Sequence, residues 1–267
     1  STVDDPDLGC QLLGGLRSVL AAAQCPGPIL RARLGDVDAA DSLVDVVAQP
    51  SAPAQRREAA RLLLQLPARP STISSLTRLQ LDDPMLADWV SVAVFRLGHR
   101  PARQQVERIL ADANREFELR LRAAEALAGW QGSGAAPALL GLLQGCPDRD
   151  SCRQVIVALG RLGDRSAAAA LAARLNDPGL LRESIRALGQ IAGPAAVASL
   201  IACLLHHEHP LARVEAARAL RSIGGPRLKY SLSHAALGDP APMVRQAAFM
   251  ALLRLARAEV GSSARQR

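Results

Sequence analysis

Aromatic side chains are nearly missing from this chain: two Trp, one Tyr and three Phe make up 2% of 267 residues. That is too little for a conventional large globular core, so alanine and leucine must do the packing. Lysine is scarcer still, because Lys229 is the only one and the remaining positive charge is all Arg. The hydrophobic share is 49%, yet no apolar run reaches the roughly 18 residues that a membrane-spanning helix needs. No Gly-rich phosphate loop, GxSxG elbow, HExxH or CxxC motif occurs. The scattered Ser, His and Asp residues do not form a triad readable from spacing, and no cofactor is implied. The chain opens on Ser1 rather than Met, which points to a trimmed N-terminus and leaves room for a removed signal or anchor.

What is present is a repeat. Arg213 to Gly225 reads RVEAARALRSIGG, with Val214, Ala217, Leu220 and Ile223 three apart and Gly224-Gly225 ending the helix. Residues equivalent to Ile223 are Leu34, Leu66, Leu97, Trp130, Leu162, Ile191 and Leu255, separated by 29 to 33 residues. Three residues before each, from the second onward, stand Leu63, Val94, Leu127, Leu159, Leu188, Leu220 and Leu252. Each unit thus starts with a helix that buries one stripe. A Gly or Pro break follows, as at Gly35, Pro67, Gly98, Gly132, Gly163, Gly193 and Gly224. A second helix comes next, and Asp-Pro or a similar turn resets the unit at Asp83-Pro84, Asp177-Pro178 and Asp239-Pro240. One such hairpin cannot close a core, so copies must stack. Leu188→Ala or Leu220→Ala should cost about 2 to 5 kcal/mol and broaden the melt, since coupling runs between neighbours.

These residues, with Val244 to Ala248 and Leu188 to Gly193, resemble the HEAT-repeat family and, within it, the short repeats of phycobilin-lyase-like proteins. The resemblance covers roughly residues 26 to 258 and implies an all-α, right-handed α-solenoid of about eight HEAT-like hairpins. It further implies that a concave surface lined by second helices holds another macromolecule. Residues 1–25 are read as an N-terminal capping helix, 26–258 as the array and 259–267 as a basic C-terminal tail. A last second helix is expected to begin near Ala256.

Net charge is +7 and the pI about 10.1, which invites nucleic acid as a partner. An Arg-for-Lys bias of this size is also what genomic base composition produces. Acids dominate residues 1–50 and arginines dominate from 211 onward, an asymmetry that suits head-to-tail contact or a charged partner at one end.

Arg56, Arg120, Arg213 and Arg245 stand ten residues before their anchors. A phosphate-binding row should continue through every repeat, but Ala87, Cys152 and Leu181 interrupt this one. A structural ladder to acids in the preceding turns is therefore expected. His206, His207 and His209 beside Glu208 are weak metal candidates, read first as a polar turn closed by Pro210. Iron-holding HEAT-like enzymes carry paired His-Glu dyads, whereas the comparable positions here read Arg57-Glu58, Arg182-Glu183 and Val214-Glu215. A HEAT-like DNA glycosylase would draw on Asp88, Trp89 and Trp130, with Trp130 read as core. Cys146 and Cys152 bracket a short turn and are expected to bridge, while Cys10 and Cys25 lie too far apart along one helix. Cys203 is a packing residue. The bridge favours an extracytoplasmic compartment, with a cytoplasmic one as the alternative.

On the second helices, Arg108, Ala173, Arg174, Ala202, Tyr230 and His234 mark a shallow concave trough. The function expected first is a nonenzymatic scaffold that binds a protein or peptide in this trough. Nucleic-acid binding, and a phycobilin-lyase-like or metal-dependent enzyme, are the alternatives.

Overall fold

The computed structural model describes residues 27–49, 53–67, 70–129 and 135–265. The expected capping helix, Cys10, Cys25 and Trp130 lie outside these residues. All regular structure among the described residues is helical, and the chain divides into two compact units, residues 1–127 and 128–267.

The first unit holds α1 (Pro28–Arg33), α2 (Ala39–Ala48), α3 (Pro53–Leu63), α4 (Pro70–Arg78), α5 (Pro84–Arg96), α6 (Arg103–Ala111) and α7 (Phe117–Ala128). The second holds α8 (Ala135–Gln144), α9 (Arg149–Leu162), α10 (Ala168–Ala172), α11 (Leu181–Ile191), α12 (Pro194–His206), α13 (Pro210–Ile223), α14 (Lys229–Gly238) and α15 (Pro242–Arg265). Odd-numbered helices up to α7 and from α9 onward are first helices of a hairpin, and even-numbered ones are second helices. Within each unit, first helices pack on first helices (α3 on α5; α9 on α11, α11 on α13, α13 on α15), as expected of an all-α solenoid of hairpins.

The stripe positions read from the sequence are the core. Leu159, Leu188 and Leu220 are fully buried, and Ala187, Ala216 and Ala217 fill the space between helices. Glycine sets the closest approach. An added Cβ on Gly160 would lie 2.8 Å from the Cα of Ala187, and one on Gly189 would lie 3.2 Å from the Cβ of Ala219. Gly160 and Gly189 hold the same place in their repeats, as do Ala187 and Ala219, so neighbouring first helices advance in register.

The breaks behave as expected at Gly35, Gly98, Gly163 and Gly224, all with positive φ. The α11 break differs. There Ala192 takes the left-handed conformation at φ 51, while Gly193 starts the next helix with extended backbone, against the side chain of Arg165. Gly193 is thus needed for space rather than for its backbone freedom.

Turns between repeats are fixed by aspartates. Asp83 accepts from the backbone of Met85, and Asp148 from that of Ser151, so each caps the following helix. At the C-terminal end, α15 runs unbroken to Arg265, in place of the new helix expected near Ala256 and the tail expected from residue 259. No Gly or Pro interrupts Met243 to Val260, so nothing in the chain stops the helix there.

Candidate functional site

The carbonyl groups that end each second helix lack a helical partner and need one. In this chain a side chain from later in the sequence supplies it. Arg56 Nε donates to Val47 O at 2.9 Å, and Arg120 Nε to Leu110 O at 3.2 Å. Arg213 Nη1 donates to His207 O at 2.7 Å and Glu208 O at 3.0 Å. Arg245 Nη1 donates to Asp239 O at 2.7 Å and Pro240 O at 3.1 Å. The four arginines form the expected ladder, but its rungs end on backbone carbonyls rather than on acids of the preceding turn. Arg213 alone finds an acid, and that acid belongs to the following turn: Nε to Asp239 Oδ2 at 2.8 Å and Nη2 to Oδ1 at 2.9 Å. Both side chains are buried. Burial opposes the charge on Asp239, yet the Arg213 hydrogen bonds hold its carboxyl below the usual carboxylate range. The same bonds push the Arg213 guanidinium up.

Two residues given other roles from sequence do the same work. Arg174, placed in the trough, donates from Nη2 to Leu143 O at 3.2 Å. His207, a metal candidate, pairs through Nε2 with Leu175 O at 3.2 Å, while its Nδ1 accepts from the backbone of His209 at 3.1 Å. A carbonyl only accepts, so Nε2 carries the proton and both ring nitrogens are engaged. The rings of His207 and His209 sit 5.7 Å apart beside a cleft of about 380 Å³. Among the described residues no three His, Cys, Asp or Glu side chains gather as a metal would require.

Of the trough positions, Arg108 lies in the first unit and the others in the second. Ala173 borders a small hollow with Leu140, Leu143 and Arg174, and Ala202 and His234 face solvent. Tyr230 is 81% exposed at the start of α14. Asp88 and Trp89, considered for base chemistry, are consumed inside the first unit. Asp88 is buried, with Oδ2 3.1 Å from Arg115 Nη2 and Oδ1 accepting from Gln105 Nε2 at 3.0 Å. Trp89 is fully buried under the guanidinium of Arg61, 4.9 Å from its ring centre. Cys146 and Cys152 are both free thiols, and Cys203 is free and buried.

Charge in the second unit is sorted by edge. Where a second helix turns into the next first helix, acids and arginines neutralise one another: Arg153 with Asp150 at 2.6 Å, Arg149 with Asp177 at 3.5 Å, and Arg213 with Asp239. Where a first helix turns into its second helix stand Arg161 and Arg165, then Arg221 and Arg227, then Arg254 and Arg257 at the equivalent level of α15. Among the described residues none of these six forms a hydrogen bond or an ion pair, and all but the half-buried Arg221 are exposed. The stem of Arg165 also lies across Gly193 of the uncharged turn between α11 and α12. Among the described side chains, the carboxylate on this edge is Asp164. It is tied to the backbone of Ser166 at 2.9 Å, a bond that holds it below the usual range. The sequence showed these residues only as an excess of arginine toward the C-terminus. Sorting charges by place in the repeat would have revealed the edge.

The stacked hairpins and their register define an all-α helical-repeat protein. The model of HEAT repeats matches residues 104–182 and 176–253, more than half of the chain. The chain belongs to the HEAT-repeat family. Among curated proteins none matches its sequence. Among solved structures, human deoxyhypusine hydroxylase in complex with glycerol is similar at 23% identity, covering 85% of this chain and 99% of that chain, with a TM-score of 0.36. That match is to an enzyme and corrects the reading of a nonenzymatic scaffold, because the repeat pattern does not set this chain apart from enzymes. A likeness of that size transfers no activity to this chain.

Proposed function

We propose that the second unit binds the phosphate backbone of double-stranded nucleic acid along its first-to-second helix edge. One observation supports the reading: six arginines near this edge of the repeats have no partner among the described residues, and the carboxylate described among them, Asp164, is already engaged. A guanidinium offers a planar fork of donors that matches phosphate oxygens, and several unpaired ones on one edge raise the local positive potential that attracts an anion. A duplex suits the edge better than a single strand does. Single strands are held mainly by stacking on aromatic rings, and among the described residues Tyr230, beside Lys229, is the one aromatic at this edge. No helix among the described residues is long and apolar enough to cross a membrane.

The test is retention of labelled DNA and RNA duplexes by the full chain at low salt. Binding that weakens with salt and with reversal of Arg161, Arg227 and Arg254 supports the reading, and the two duplexes report whether one sugar is preferred. No retention of either, or binding indifferent to the reversals, overturns it.

A further inference from the structure

We propose that Cys146 and Cys152 form a reversible disulfide site that fastens the end of α8 to the start of α9. Both thiols are free and half-buried, and they face each other across the turn 147–151 closely enough to influence one another's protonation. The turn is held in the shape that brings them together. Asp148 accepts from both the backbone and the hydroxyl of Ser151, at 2.8 and 3.0 Å, and Cys146 Sγ donates to Leu142 O at 3.3 Å. The remaining described cysteine, Cys203, is buried within α12.

Burial pushes the Cys146 thiol up. Whichever cysteine reacts first does so as its thiolate, which displaces one sulfur of a low-molecular-weight disulfide such as oxidised glutathione. The reagent's S–S bond breaks, and the departing small thiolate takes up the proton that the cysteine lost. The other cysteine then attacks the protein sulfur of the mixed disulfide, and its proton leaves with the second small thiol. Two protein thiols are oxidised, and one small disulfide is reduced to two thiols. A reducing thiol reverses both steps. The bridge closes the turn onto a helix end otherwise held from outside by Arg174 on Leu143 O.

Trypsin cleaves after Arg149, between the two cysteines, so the bridge has an unambiguous signature. The full chain is incubated with oxidised glutathione, remaining thiols are blocked, and the protein is digested without reductant. Peptide 123–149 joined to 150–153, lighter than their sum by two hydrogens and separated by dithiothreitol, is expected in the wild type and in Cys203→Ser. Amide hydrogen exchange over Ala135–Gln144 is expected to slow in the oxidised wild type and to stay unchanged in Cys146→Ser. Four results would overturn the proposal: unreacted thiols, glutathione left on either cysteine, either cysteine linked to Cys10, Cys25 or Cys203, or a bridge that leaves the α8 exchange rate unaltered.

Discussion

Gly160 on α9 faces the backbone of Ala187 on α11 so closely that an added Cβ would lie 2.8 Å from the Ala187 Cα. Gly189, one repeat later, has more room. Its added Cβ would meet the Ala219 side chain at 3.2 Å and the Ala219 Cα at 3.8 Å. Gly160→Ala must therefore push α9 and α11 apart, which costs about 1–3 kcal/mol and outweighs the roughly 1 kcal/mol that alanine adds as a helix former. Gly189→Ala gains the same propensity against a small shift and should stay within about 0.5 kcal/mol of wild type. Denaturant melts of the two variants check the order, and equal losses would refute the close contact.

The Arg213 and Asp239 pair should govern some of the acid response. Its carboxyl titrates lower in the folded chain than in the unfolded chain, where Asp has a pKa near 3.9. The stabilisation is then complete above the unfolded value and is lost as pH falls below about 4 through the folded value. Asp239→Asn leaves a buried guanidinium without its anion, so a loss of about 3–5 kcal/mol is expected at pH 7. Below pH 4 the gap to wild type should narrow. Melting temperatures from pH 2 to 7 measure both effects, and a gap constant with pH would remove the linkage.

Ala192 holds a left-handed conformation that its Cβ opposes. Ala192→Gly should raise stability by up to about 1 kcal/mol, because relief of that strain exceeds the added freedom of the unfolded chain. A lowered melting temperature would show that no strain is stored there.

On the basic edge, reversal of Arg161, Arg227 and Arg254 to Glu should leave the melt unchanged, since all three are exposed and unpaired among the described residues. If each meets one DNA phosphate, the slope of log affinity against log salt should shrink by about 2.7, at roughly 0.9 per contact. Filter binding across a salt series gives the slope directly, and equal slopes for variant and wild type would contradict the contact.

Much of this architecture could be read from the sequence. Leu159, Leu188 and Leu220 were identifiable as core because helical spacing and the repeat period agree, and glycine marked most helix ends. The ladder arginines were identifiable by their shared offset from the anchors. Their acceptors were not, because a backbone carbonyl has no signature in a sequence. For the same reason Arg174 and His207 were assigned to binding and metal roles when each closes the end of a helix. The basic edge was obscured for another reason. Arg161 and Arg254 are 93 residues apart and become equivalent only after the chain is folded onto its period.

In the second unit α13 has a first helix on both sides, while α15 has α13 on one side only. Ala217 is fully buried, yet Phe249, 32 residues later at the equivalent place, is 54% exposed, and Met243, Met250 and Leu253 are exposed with it. Trimming α15 would uncover the face of α13 that packs on it, so a shortened chain would trade one set of exposed apolar side chains for another instead of losing them.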